Sequence, residues 1–226
     1  MSNGTGNYCW CATLLCLFVL LSAIGGASQT KAAFELSGHF TTLNVGEYAP
    51  GFGGTLAYNL HPRFAVESTL NFFPSNPHTN LGRSIVPLGD LNTGNILQGQ
   101  FGAKANLLRL KRVTLFAKAK PGFVTFSKLS YHFDAGIGAF DSGVWWDAGR
   151  QTGFALDVGV GAEIAPVKDS FIRFDAGDTY FQYPSFTTTF NAVPGAGIQP
   201  VFHMPAASVH TFQFSVGVGC RFGRTK

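Results

Sequence analysis

From Thr211 to Phe222 the chain alternates without a break. Phe212, Phe214, Val216, Val218, Cys220 and Phe222 are apolar, while Thr211, Gln213, Ser215, Gly217, Gly219 and Arg221 are polar or glycine. A period of two marks a strand with two unlike faces. The face of glycines, small polar residues and one charge is too thin to make a packed core, whereas the aromatic face suits contact with lipid. The expected strand is therefore turned inside out relative to a soluble sandwich.

The same alternation recurs upstream. Phe34 to Val45 sets Phe34, Leu36 and Phe40 against Glu35, Ser37, His39 and Thr41, and Phe52 to Leu60 sets Leu56 and Tyr58 against Thr55 and Ala57. Phe64 to Phe73 places Val66, Leu70 and Phe72 outward and Ala65, Glu67, Thr69 and Asn71 inward. Ile96 to Leu107 opposes Phe101, Ala103 and Ala105 to Gln98, Gln100, Gly102 and Lys104. Val113 to Phe126 opposes Leu115, Ala117 and Ala119 to Phe116, Lys118 and Lys120, with a bulge expected at Pro121-Gly122. Gly153 to Ile164 opposes Phe154, Leu156 and Val158 to Asp157, Gly161 and Glu163, and Phe171 to Phe181 opposes Ile172 and Phe174 to Arg173 and Asp175.

Tight links at 61–63, 108–112 and 165–170, and a short one at 46–50, alternate with long loops at 74–95, 127–152 and 182–208. The long loops show no sustained period and are expected to be exposed and irregular. These strands are close to the roughly ten residues that cross a bilayer at a tilt. The pattern predicts an all-β fold, an eight-stranded antiparallel up-and-down transmembrane β-barrel. Short turns and both chain ends are expected on the periplasmic side, and long loops outside. A soluble ligand-binding barrel would need the opposite facing, which Glu67, Lys104, Lys118 and Arg173 contradict.

Composition agrees, with 28 glycines and 23 phenylalanines among 226 residues and only 12% charged residues. The basic residues are scattered, so nucleic acid is not an expected partner. Residues 11–21 form a short apolar run followed by small residues, which reads as a signal peptide cleaved after Ala27, or as late as Ala32. Met1 to Trp10 contains no lysine or arginine, so an uncleaved anchor is the alternative. Cleavage would leave Cys220 as the one cysteine, expected to be a buried small hydrophobe. The mature domain then spans 34–222, with a short tail at 223–226 and no room for a periplasmic domain after it.

Four stretches carry a resemblance: Phe64 to Pro74, Phe116 to Phe123, Arg173 to Asp178, and the final Phe222. The chain from about Phe34 to Phe222 resembles the OmpA-like eight-stranded outer-membrane β-barrel family. The resemblance implies an outer-membrane location, surrounding lipid as a partner, and Phe222 as the insertion signal read by the barrel-insertion machinery. Here Gly223 to Lys226 follow that signal.

Candidate chemistry lies on the inward faces. Glu35, Glu67, Asp157, Glu163 and Asp175 stand against Lys104, Lys118, Lys120, Arg173 and Arg221, a lumenal network of balanced charge. The lumen of an eight-stranded barrel is just wide enough for side chains to fill, so these charges must pair with each other or with water. Counted from the turn-side strand ends, Glu67 and Lys104 share a height, as do Lys120 and Asp157. Glu35 and Arg221 meet only if the barrel closes. The same groups would line a narrow gate if the lumen conducts. The histidines show no ligand spacing, and no metal or cofactor is expected. Ser208 and His210, two residues apart at the rim, are the candidates for a lipid hydrolase. The leading expectation is a structural or surface-interaction barrel without catalysis, whose external loops could bind an unidentified surface ligand. A small low-conductance pore is the alternative, and the hydrolase is third.

Overall fold

The computed structural model describes residues 34–44, 48–74, 78–79, 89–92, 94–127, 130–133, 144–147, 149–167, 169–183, 185–189, 201–204 and 206–223. The expected signal segment and residues 224–226 of the tail lie outside them. In chain order the strands are β1 (Phe34–Asn44), β2 (Tyr48–His61), β3 (Phe64–Phe73), β4 (His78–Thr79), β5 (Gly89–Asn92), β6 (Ile96–Arg109) and β7 (Val113–Phe126), followed by β8 (Ser130–Phe133), β9 (Val144–Asp147), β10 (Gln151–Val167), β11 (Ser170–Tyr183), β12 (Phe186–Thr189), β13 (Val201–Met204) and β14 (Ala207–Phe222).

Eight of these close into one antiparallel barrel in the order β1-β14-β11-β10-β7-β6-β3-β2. Strand β1 makes the closure, since Phe34 lies opposite both Tyr58 of β2 and Phe222 of β14. The alternation sets the facing, because a slip of one residue would turn every lumenal charge toward lipid. On the outer wall Phe40 is 76% exposed, Val218 67% and Phe101 63%, while Thr41, Gln100 and Ser215, at inward parity on the same strands, are buried. Rings gather where the barrel closes, with Phe34 stacked on Phe222 at 5.8 Å and tilted against Tyr58 at 4.9 Å.

Several expected boundaries move outward. Strand β2 begins at Tyr48, β10 runs from Gln151 to Val167, and β14 begins at Ala207. The backbone ladder continues where the apolar period fades, as in the pairing of Tyr183 with Ala207. The expected bulge at Pro121-Gly122 is not there. The β6–β7 register keeps one count through this region, from Gln100 opposite Gly122 to Ala103 opposite Ala119, and passes over Phe101 and Gly102. Proline removes a ladder donor without adding a residue, so pairing lapses while register holds. Register shifts fall instead at Asn59/His61, Asn106/Leu108 and Ile164/Val167, all beside the short turns. Cys220 is exposed on the outer wall, so it is not the buried hydrophobe expected; its even position puts it on the lipid face.

The described residues of the long loops include paired strands that their sequences do not suggest. Strands β4, β5, β8 and β9 form a separate four-stranded sheet, and β12 with β13 a hairpin. Loop residues supply each other's partners across long separations, with Leu91 opposite Tyr131 and Tyr131 opposite Trp146. No period within one loop reports such pairing.

Candidate functional site: the filled lumen

Nine of the ten expected lumenal charges are buried inside the barrel, and Arg221, at its turn-side rim, is half-buried. On the turn side Lys104 Nζ reaches Glu35 and Glu163 at 2.8 Å each and Glu67 at 3.5 Å. Arg221 bridges Glu35 at 2.7 Å and Glu163 at 2.5 Å. Arg173 forks onto the two carboxylate oxygens of Glu67 at 2.5 and 3.0 Å, and donates through Nε to Asp175 at 2.7 Å. Asp175 continues to Lys118 at 3.3 Å, Lys118 to Asp157 at 2.9 Å, and Asp157 to Lys120 at 3.4 Å. Five acids and five bases thus form one connected network, which is how charge is kept in a low-dielectric interior.

The three expected encounters have different geometries. Lys120 lies directly opposite Asp157, and Glu35 directly opposite Arg221 across the closure. Glu67 and Lys104 touch, but not at equal height. Glu67 lies opposite Gly102, and Lys104 opposite Ala65. Barrel closure staggers neighbouring strands, so turn-side ends are not level and heights counted from them drift. The fork of Arg173 is therefore the main partner of Glu67, and Lys104 contacts it diagonally.

Two aromatic rings complete this cluster. Phe116 lies with its centroid 4.5 Å from Arg173 Cζ and 5.3 Å from Lys104 Nζ, and Phe171 lies 4.8 Å from Arg221 Cζ. All three are cation–π distances. Each ring lies opposite a glycine, Phe116 opposite Gly161 and Phe171 opposite Gly219, and a Cβ at either glycine would run into the ring tip. These rings sit at inward parity in the sequence, and the facing glycines are the signal that would have found them.

Above the charges lies a tier of amides and hydroxyls. Asn71 meets His39 Nε2 at 2.7 Å and donates to Gln98 at 2.7 Å. Gln213 donates to Thr41 at 3.1 Å and accepts from Thr179 at 2.9 Å, and Ser215 donates to Thr41 at 2.9 Å. Both side-chain polar atoms of Gln100 and Oδ1 of Asp157 are buried without a hydrogen-bond partner. Toward the long loops the inward positions become apolar. Leu43, Ala49, Phe73, Ile96, Val124, Phe126, Ala155 and Phe181 are all buried to within 1%. The lumen is thus closed by side chains in three tiers: ionic, polar and apolar.

Ser208 and His210 lie on the outward parity of β14, opposite Gln182 and Tyr180. His210 Nδ1 is 2.6 Å from Asp178 Oδ2, a pairing with β11 that sequence spacing did not show. Both groups are exposed, and the Tyr180 ring lies 5.2 Å from the imidazole. Among the described residues no group of three or more His, Cys, Asp or Glu could hold a metal ion.

A closed eight-stranded antiparallel barrel with an apolar wall and a polar lumen defines an integral outer-membrane barrel. Residues 13–222 match the family model of the outer membrane protein beta-barrel domain, and the chain belongs to that family. Its place is accordingly the outer membrane. No curated protein matches the sequence. Among solved structures the chain is similar to a major outer membrane protein from Thermus thermophilus, at 13% identity and a TM-score of 0.52, over 84% of this chain and 99% of that one. It is also similar to Neisserial surface protein A, at 15% identity and a TM-score of 0.40, over 84% and 97% of the chains. A third is the attachment invasion locus protein of Yersinia pestis, at 13% identity and a TM-score of 0.41, over 86% and 100%.

Proposed function

We propose that this barrel is a structural or surface-interaction protein without catalysis, with its long loops external and both chain ends periplasmic. The observation that carries the reading is the contrast between the two parts of the molecule. All ten lumenal charges are spent on one another, while described residues of the long loops pair into sheets of their own. Closed tiers of paired charge, amide and hydrocarbon favour a stable plug over a path for ions, because an ion entering the apolar tier loses its hydration without a ligand in exchange. Loops that carry paired strands on a rigid scaffold favour contact with a partner. The partners of this reading are outer-membrane lipid, the insertion machinery that takes Phe222 as its signal, and a surface ligand on the loops.

The test pairs a loop assay with a lumen assay. Cells displaying the native barrel are compared, for adherence and ligand capture, with cells whose loops 128–148 and 184–205 are replaced by short turns, folding being checked by the gel shift on boiling. Loss of binding with retained gel shift is expected. In planar bilayers the native protein is expected to give no unitary steps. Regular steps from native protein, together with unchanged binding by the loop replacements, would move the reading to a small pore.

A further inference from the structure

The short turns carry a second surface. Arg63 is in the β2–β3 turn, and Arg109, Lys111 and Arg112 sit at and just after the end of β6; all four are exposed. Arg109, Lys111 and Arg112 form no ion pair among the described residues. Asp169, in the next turn, is the one exposed acid on this rim among them. The same segment exposes Leu107, Leu108 and Leu110 at 59, 47 and 60%. The apolar wall thus runs directly into the cations, with no polar spacer between them.

Backbone hydrogen bonds hold these turns in a fixed rim. Asn106 N donates to Arg63 O at 2.8 Å, Leu110 N to Val113 O at 2.7 Å, Ala165 N to Arg112 O at 2.8 Å, and Arg221 N to Asp169 O at 2.8 Å. Asn106 Nδ2 also donates to Pro62 O at 2.8 Å. Each turn is stitched to the strand of its neighbour, so the backbone that carries the cations is already ordered. Little entropy is then lost when a partner arrives.

We propose that Arg109, Lys111 and Arg112, with Arg63 beside them, bind the phosphate groups of anionic glycerophospholipids in the leaflet that the short turns reach. The leucines insert at the edge of the acyl region while the cations meet the headgroups, the division of labour of an interfacial anchor. A cation at a membrane surface favours an anionic lipid by roughly fivefold. The surface depends on the wall being lipid-facing and is independent of which side of the membrane the turns occupy.

The test is the association of spin-labelled phosphatidylglycerol against spin-labelled phosphatidylcholine with the full barrel in phosphatidylcholine membranes. A symmetric host presents the same lipid to both rims, so a wrong orientation leaves this result untouched. The native protein is expected to prefer phosphatidylglycerol, with a preference that falls as salt rises. Arg109→Gln/Lys111→Gln/Arg112→Gln together should bring the two lipids to parity, while Arg150→Gln, at the loop-side end of the barrel, leaves the preference in place. Arg109→Lys/Arg112→Lys, which keeps the charges, also retains it and serves should the triple variant not fold. Equal association of both lipids with native protein, or full preference in a folded triple variant, overturns the proposal. Abolition of the preference by inorganic phosphate, but not by chloride at equal ionic strength, would show a free-phosphate site instead and also overturns it.

Discussion

Removing the Glu67 carboxylate tests the lumenal network at its most connected point. Glu67 is fully buried and accepts both arms of the Arg173 fork, at 2.5 and 3.0 Å, with Lys104 at 3.5 Å. In Glu67→Ala five bases face four acids, and Arg173 keeps Asp175 as its close partner. Breaking a buried pair from one side costs about 3–5 kcal/mol, since the remaining charge stays desolvated. Arg173→Ala is expected to cost a similar amount, because it strands Glu67 and weakens the hold on Asp175. The double variant removes one charge of each sign and restores the balance, so its cost should fall short of the sum by about 2 kcal/mol.

Geometry ranks the couplings. Glu67 and Arg173 share two charge-assisted hydrogen bonds in fork geometry, whereas Lys104 reaches Glu67 from a staggered position and has Glu35 and Glu163 closer at 2.8 Å. The Glu67–Lys104 cycle should therefore still be sub-additive, but with a coupling below about 1 kcal/mol. Equilibrium unfolding in urea, followed by far-ultraviolet circular dichroism and by the gel shift on boiling, measures all the proteins of both cycles. Additive Glu67 and Arg173 effects, or a stronger coupling to Lys104 than to Arg173, would refute the assignment of the fork as the centre of the network. Singles that leave stability unchanged but raise conductance in planar bilayers would make the network a gate.

Other consequences follow from the packing. Gly161→Ala drives a methyl group into the Phe116 ring and is expected to lower stability by about 1–3 kcal/mol in the same urea assay, with Gly38→Ala as the neutral comparison because nothing lies within 4 Å of its added Cβ. Phe73→Ala combined with Phe181→Ala opens the apolar tier, so single-channel recordings should show conductance only in that variant, whereas steps of equal size from native protein would place the path elsewhere. Ser208→Ala and His210→Ala should leave lipid deacylation at the background shown by the native protein; activity lost in both variants would turn the His210–Asp178 contact into part of a catalytic site.

Much of the barrel is legible because period two is a local property. Each strand reports its own faces, so the sign of every lumenal charge and the closure pair Glu35–Arg221 can be read before any coordinate is known. The pair tests closure because its members are far apart in the chain and adjacent only in a sealed sheet. The aromatic covers were within reach for the same reason. Phe116 and Phe171 hold inward parity, and the glycines opposite them leave the space the rings fill.

What could not be read depends on relations between strands. Height counted from the turns put Lys104 level with Glu67, yet the sheet is sheared by closing on itself, and register shifts at Asn59/His61 and Asn106/Leu108 add to the stagger. Those shifts let Asn106 donate from its backbone and its side chain to the turn before β3, at Arg63 O and Pro62 O, which sets where β6 stands against β3. The offset decides the chemistry: with Lys104 facing Ala65, the carboxylate of Glu67 is left to a guanidinium from β11, on the far side of the lumen. In a barrel this narrow, side chains from strands that are not neighbours meet across the axis, so the nearest strand in the sheet need not supply the main partner. The loop sheets escape reading for the same kind of reason, because Leu91, Tyr131 and Trp146 come from two loops that the strand pattern treats separately.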